Sequence, residues 1–333
     1  MNDKLEKLND IVKNAKKIVI AQADNPDGDS LASTLALEEI IHDMGKEPLL
    51  YCAIDMPQHL RHLKGWDRVE KDVPKQFDAV IIVDCSSRTL FEIADTNGQL
   101  SWLLAKPTII IDHHDTPETL QATITYDALS AVSTGEAIYE IASMLSWPVS
   151  INAGSMIAVS ILSDSLGLMT EQTTSRSIRI IAELVEKGVN LTELDDARKQ
   201  TMRKSQELVR YKGTLLQRIE YANNTDIAMI TIPWKEIETY SSQYNPSILV
   251  LDDMRLTEGT KIAIAFKQYN RGKITAKIRS NYGFPIAKDL AEHFGGGGHP
   301  YASGFKVNNK TIDDVKDECK KIIANLLDDM SIQ

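Results

Sequence analysis

Cysteine is scarce in this chain of 333 residues: Cys52, Cys85 and Cys319 are far apart and odd in number. No two form a CxxC pair, so neither a disulfide framework nor a structural zinc site is expected. Long apolar runs are also missing. No stretch approaches the roughly 20 residues of a membrane span, and the opening MNDKLEKLNDIVKNAKK lacks the apolar centre of a secretory signal. These two absences predict a reduced, cytoplasmic protein with no membrane partner. Positive charge is in deficit: 37 Lys and Arg face 47 Asp and Glu, a net charge of −10. Binding along a long duplex needs dense Lys and Arg, so long duplex nucleic acid is not an expected partner. A short polyanion is compatible, provided metal ions supply local positive charge. No GxGxxG opens a helix after the first apolar strand, which argues against a dinucleotide fold of the Rossmann type.

What is present is the balance of a globular protein, with 43% hydrophobic and 25% charged residues. The length suits two domains. Helical spacing over 4–15 precedes the apolar strand Lys17-Ile18-Val19-Ile20-Ala21, which ends in the polar turn Asp24 to Asp29. A helix follows over Ser30 to Met44. Further strands are predicted at Pro48 to Ala53, at Asp78 to Val83 ending in Asp84, and at Thr108 to Ile111 ending in Asp112-His113-His114. Continuous Val/Ile runs alternating with helices predict an α/β fold, a parallel sheet covered on both faces. Helices are then expected near 131–145, 151–166 and 174–188, followed by one long polar helix near 192–220. Strands return at 227–232, 261–266, 273–278 and 303–307, with helices near 285–293 and 311–328. This pattern divides the chain into a catalytic domain over 1–190, a connector over 191–224 and a smaller α/β domain over 225–333.

Three strands of the first domain end in acidic or histidine-containing turns. In open α/β sheets, ligands bind beyond the carboxyl ends of the strands. Asp27, Asp29, Asp84, Asp112, His113 and His114 can therefore converge despite their separation in sequence. Carboxylates with one or two imidazoles are ligands for Mn²⁺, Mg²⁺ or Zn²⁺. Each also has a plainer reading, and Asp29 in front of an apolar helix suits a helix N-cap. Asp164, beyond the apolar stretch Met156 to Leu162, is either a further ligand or a helix end facing water. In the second domain, Gly295 to Gly298 followed by His299 reads as a pliable loop presenting backbone N–H groups to an anion, or as a flexible loop only. Arg279-Ser280-Asn281 closes a neighbouring strand.

Taken in order, these motifs resemble the DHH phosphoesterase family, most closely its bacterial nanoRNase/pAp-phosphatase branch. The motifs are Asn25-Pro26-Asp27-Gly28-Asp29, Val83-Asp84-Cys85-Ser86-Ser87, Asp112-His113-His114, Ser163-Asp164-Ser165, and Gly295 to His299 with Ala302-Ser303-Gly304-Phe305. The resemblance covers nearly the whole chain. It implies two divalent cations, usually Mn²⁺ with Mg²⁺ as the alternative. Asp27 would hold one ion and Asp29 the other, Asp84 would bridge them, and His113 and Asp164 would complete the second. Asp112 would orient the ligands from behind, and His114 would face the phosphate. Arg279, Ser280, Gly296, Gly297, Gly298 and His299 would bind the nucleotide. The implied reaction is hydrolysis of short oligoribonucleotides, linear dinucleotides or pAp by water activated between two metals. The resemblance also leaves room for a homodimer. One position departs from the pattern: the family's first motif carries a His four residues before its first Asp, and here that residue is Ala23. Gln22 or Asp24 could substitute, or Asp27, Asp84 and waters could hold the ion alone, an arrangement suited to Mg²⁺ or Mn²⁺. The alternative is a non-catalytic or weakly active nucleotide-binding protein.

Overall fold

The computed structural model describes residues 3–115, 117–224 and 226–332, and it divides into two compact units between Arg203 and Lys204. Among the described residues, no helix is long and apolar enough to cross a membrane.

The first unit begins with α1 (Asp3–Asn14), β1 (Lys17–Ala21), α2 (Gly28–Asp43) and β2 (Glu47–Tyr51). It continues through β3 (Ala79–Val83), α3 (Glu92–Thr96), α4 (Gln99–Leu104), β4 (Thr108–Asp112) and β5 (Ile124–Asp127). Four helices close it: α5 (Thr134–Leu145), α6 (Ile151–Asp164), α7 (Ser175–Glu186) and α8 (Leu191–Thr201). The five strands pair in the order β2-β1-β3-β4-β5, all parallel. Alternation along β1 shows why both faces must be covered. Ile18 and Ile20 join a core with Leu31 and Leu35 of α2 and Ile138 of α5. Val19 and Ala21 join a second core with Leu100 and Leu103 of α4. Five strands with apolar side chains on both faces leave a polar residue no place except the strand ends. The acidic residues stand there.

The second unit comprises α9 (Gln206–Leu216), β6 (Glu220–Ala222), β7 (Ile227–Pro233), α10 (Trp234–Tyr240), α11 (Pro246–Arg255) and β8 (Ile262–Gln268). It ends with β9 (Lys273–Ser280), α12 (Ala287–His293), β10 (Gly297–His299), β11 (Ala302–Asn308) and α13 (Ile312–Ile332). Its sheet runs β10-β11-β9-β8-β7-β6 and is mixed, with β7 and β8 parallel and the other pairs antiparallel.

The α/β expectation agrees with this architecture, but several details differ. The polar stretch 192–220 is not one helix. It breaks over 202–205, where Ser205 accepts a hydrogen bond from Leu208 N–H and starts α9. That helix is amphipathic rather than polar all round, burying Leu208, Tyr211 and Leu215. The strands β5, β6 and β10 and the helices α3, α4, α10 and α11 have no counterpart in the sequence reading.

A buried ion pair fixes the start of α5. Glu136 is fully buried. It accepts from Arg176 Nε at 2.6 Å, Ser177 Oγ at 2.8 Å and Val132 N–H at 3.1 Å. Removing the carboxylate leaves Ser177 Oγ–H and Val132 N–H without their buried acceptor and leaves the Arg176 guanidinium to Glu140 and Ser130 O alone. Glu136→Ala is expected to destabilise the fold by about 3 kcal/mol, read by urea unfolding. Glu136→Gln keeps an acceptor for Ser177 and Val132 and should cost less.

Candidate metal centre

The site is assembled at the carboxyl ends of β3 and β4 and the adjoining ends of α2 and α6. Asp84 follows β3 with φ of +60°, a left-handed conformation that Asp and Asn adopt more readily than other side chains. Its N–H still donates to Ile111 O at 2.9 Å, extending the pairing with β4. The turn swings its carboxylate toward the residues that follow β4. There His113 is nearly enclosed, and its Nε2 is buried with no hydrogen-bond partner. That nitrogen lies 3.3 Å from Asp164 Oδ2, 3.5 Å from Asp84 Oδ1 and 3.6 Å from Asp29 Oδ2.

Asp29 is the most firmly held of the set. It is completely buried in the first turn of α2. Oδ1 accepts from Ser160 Oγ at 2.5 Å and Ser33 Oγ at 3.0 Å, and Oδ2 accepts from Thr134 N–H at 2.8 Å. Thr134 also donates its hydroxyl to Asp84 Oδ1 at 3.2 Å. Thr134 and Ser160 thus position two carboxylates at once, and sequence reasoning missed both. Neither carries a motif, and each reaches Asp29 across more than a hundred residues of chain.

The N-cap reading of Asp29 is overturned. Asp27 is the cap: its Oδ1 accepts Ser30 N–H at 3.0 Å, and Ser30 Oγ accepts Asp27 N–H at 2.8 Å. Asp29 is thereby turned inward. Asp27 stands outside the two groups of facing ligand atoms, Asp29–His113–Asp164 and Asp84–His113–His114, although its charge is felt by Asp84 and Asp164. Asp112 is buried, and its Oδ1 accepts from His114 Nδ1 at 2.9 Å and His114 N–H at 3.2 Å. It therefore orients His114, whose ring is half exposed.

The electrostatics of the cluster follow from its burial and crowded charge. Burial and the charge of Asp29 hold the Asp84 carboxyl well above the usual carboxylate range. Burial raises Asp164 as well. Burial alone would lower the His113 imidazole, but the carboxylates of Asp164 and Asp84, with Asp29, outweigh it and push it up to about 11. The hydrogen bond that His114 donates to Asp112 raises the His114 imidazole. Each of these shifts has the direction expected where several carboxylates share a dry space with imidazoles. A divalent cation fits that space. Ligands bound at about 2.1 Å around one ion lie roughly 3.0–3.4 Å from each other, close to the separations around His113 Nε2. The donors, carboxylate oxygens with imidazole, suit Mn²⁺, Mg²⁺ or Zn²⁺.

Ala23 is buried with Val19, Ala21, Cys85 and Phe91. Of the two proposed substitutes, Asp24 accepts Ile93 N–H on Oδ2 at 2.7 Å and has Oδ1 buried without a partner. Gln22 is fully buried, and both its amide atoms are without partners.

In the second unit Arg279 is half exposed on β9, one guanidinium nitrogen donating to Ile278 O at 2.9 Å. Ser280 is buried, so it presents no hydroxyl to solution. The glycine run is not a pliable loop. Gly295 and Gly296 donate their N–H groups to Glu292 and Ala291 at the end of α12. Gly297 to His299 form β10 against β11. A Cβ at Gly296 would lie 2.3 Å from Gly304 O, and one at Gly298 2.6 Å from Ser303 Cα. Glycine is required there by close packing. Only His299 adds an exposed polar side chain.

Comparison with known proteins finds two family domains in the chain. The DHH family N-terminal domain matches residues 17–170, and the DHHA1 domain matches residues 244–327. The chain is 22% identical over 312 residues to the bifunctional oligoribonuclease and PAP phosphatase NrnA of Bacillus subtilis, covering 93% of each. It is 24% identical over 318 residues to the protein of that name from Mycoplasma genitalium, covering 94% of this chain and 96% of the other. An exopolyphosphatase-related protein from Bacteroides fragilis shares the fold, with a TM-score of 0.81, 20% identity and 98% coverage of both chains. The ligand-bearing unit and the smaller unit thus correspond to the two matched domains, and the chain belongs to the DHH family, in the form that carries a C-terminal DHHA1 domain.

Proposed function

We propose that this chain is a metal-dependent phosphoesterase that hydrolyses short oligoribonucleotides, linear dinucleotides and pAp to mononucleotides. The observation that carries the reading is the convergence of Asp29, Asp84 and Asp164 on one buried imidazole nitrogen. Membership in the DHH family makes the chain a hydrolase, and relatives named as oligoribonuclease and PAP phosphatase support the substrate class. The metal roles assigned to Asp27, Asp29, Asp84, His113 and Asp164 are part of this proposal, as are two divalent cations, Mn²⁺ or Mg²⁺. Cations bound there would supply Lewis acidity toward phosphoryl oxygens and a nucleophilic water at neutral pH.

The chain's own residues do the rest. Ser33, Ser160 and Thr134 hold the Asp29 carboxylate in one orientation, so little reorganisation accompanies reaction. His114 donates Nδ1–H to Asp112, and its protonated ring then has Nε2–H free for a phosphoryl oxygen. Arg279 and His299 bind the nucleotide part of the substrate. Buried Ser280 is left out of that set, and the glycines act by allowing β10 to pack closely.

The test is release of mononucleotide from 5′-labelled RNA dinucleotide, and of AMP and phosphate from pAp, in Mn²⁺ with Asp84→Asn as the blank. Release above the blank supports the hydrolase. Bound dinucleotide with no release would support the nucleotide-binding alternative, which the lost imidazole at Ala23 motivates. Arg279→Ala should raise KM for the dinucleotide about tenfold, with metal affinity unchanged in a calorimetric titration of Mn²⁺. Parallel loss of both would remove Arg279 from substrate binding.

A further inference from the structure

The chain carries a net charge of −10, yet no Asp or Glu occurs from Gly259 to Lys288 or from His293 to Ile312. These stretches contain β8, β9, β10 and β11. Alternation on β9 is strict: Ile274, Ala276 and Ile278 are buried against α12 and α13, while Lys273, Thr275, Lys277 and Arg279 lie half exposed on the other face. Register extends that face sideways. Thr275 is opposite Lys267 on β8 and Lys306 on β11. Within the second unit, the helices α9, α10 and α11 pack on the same face around Ala228, Ile230, Ala263 and Ala265, and α11 also approaches β9. Five cations therefore share one face of this sheet, Lys306 exposed and the other four half exposed.

These cations are not neutralised. Among the described residues, Lys267, Lys273, Lys277, Arg279 and Lys306 form no ion pair with a carboxylate. Burial and the neighbouring Lys277 lower the Lys267 ammonium, and burial and Arg279 lower Lys277. Such repulsion costs stability unless an anion relieves it. Alternate residues on a strand are roughly 6.8 Å apart, which matches successive phosphates of an extended single strand. At the far end of the row Lys273 sits 4.8 Å over the Tyr269 ring, which is 5.7 Å from Trp234. A cationic row ending in partly exposed aromatic rings is the composition of a single-strand binding surface.

We propose that Lys277, Lys267 and Lys306 continue the nucleotide site of Arg279 into a track for the phosphates of longer oligoribonucleotides, with Tyr269 and Trp234 as a stacking surface for a base at its end. This rests on the role given to Arg279 above. The track accounts for how an acidic protein binds an RNA of more than two nucleotides: the face that meets the backbone is free of acid.

The experiment separates the two readings. Binding of a 5′-fluorescein pentaribonucleotide is followed by anisotropy in the Asp84→Asn protein, with and without Lys267→Ala plus Lys277→Ala, at several salt concentrations. The double substitution should weaken binding about tenfold and reduce the slope of log K against log salt by about 0.7 per lost phosphate contact. With Asp84 restored, the ratio of kcat/KM for pentamer over dinucleotide should fall by a similar factor. Lys267→Arg plus Lys277→Arg should retain both slope and ratio, which excludes a folding defect as the cause. An unchanged slope, or an unchanged ratio because dinucleotide turnover falls equally, overturns the track. Absence of turnover on every substrate would overturn the hydrolase reading instead, since the anisotropy arm needs no catalysis.

Discussion

Asp84→Asn should abolish turnover, by on the order of 10³-fold or more, while leaving the melting temperature near that of the wild type. The argument has two parts. Asp84 Oδ1 faces His113 and His114 and accepts from Thr134, so its charge is central to any cation held there. Its backbone is left-handed, and Asn tolerates that conformation about as well as Asp. Asn also keeps an acceptor for Thr134 and removes a carboxyl group that burial already disfavours as an anion. Asp84→Ala would confuse the result, adding about 1–2 kcal/mol of backbone strain. Wild-type-like kcat in Asp84→Asn, measured on the dinucleotide, would sink the metal-centre assignment.

Removing divalent metal should have the second largest effect. Excess chelator should reduce turnover more than 100-fold and lower the melting temperature, and Mn²⁺ or Mg²⁺ should restore both. The thermal shift follows from linkage. An ion present at about 100 times its Kd stabilises the fold by about 2.7 kcal/mol, which for a unit of this size corresponds to roughly 5–10 °C. The sign is fixed by the cluster itself, since a cation replaces repulsion among Asp29, Asp84 and Asp164 with attraction. His113→Ala should remove most of the shift, because that nitrogen belongs to both ligand groups. Without an imidazole at position 23, Zn²⁺ should restore activity less well than Mn²⁺ or Mg²⁺. Melting curves insensitive to Mn²⁺, with chelator-resistant turnover, would contradict the proposal.

Much of this site is legible in the sequence, for a physical reason. A strand buried on both faces tolerates polar residues only at its ends, so Asp84, Asp112 and His113 announce themselves where apolar runs stop. The motif order then supports Asp29 and Asp164. What is not legible is which carboxylate of Asn25-Pro26-Asp27-Gly28-Asp29 turns inward. Both can cap a helix, and the choice depends on Ser30 closing the cap with Asp27 while Ser33, Ser160 and Thr134 receive Asp29. The role of the glycine run is hidden in the same way. Four glycines read as freedom, but close contacts with Gly304 and Ser303 make two of them, Gly296 and Gly298, a packing requirement. The long polar helix fails because charge conceals the spacing of Leu208, Tyr211 and Leu215.

The bonds that Asp29 makes to Thr134 and Ser160 also set when the protein becomes competent during its synthesis. A ribosome that has delivered β1 through β4 has delivered Asp29, Asp84 and His113, but neither the residues that hold Asp29 nor Asp164. Until α6 has emerged and packed on α2, a nascent chain has the ligands without their geometry. All of them precede Arg203, so the proposed metal centre could form while the second unit is still being translated. On the proposed function, chains released before α6 would lack the metal centre, and chains released after α8 would carry it without the second unit.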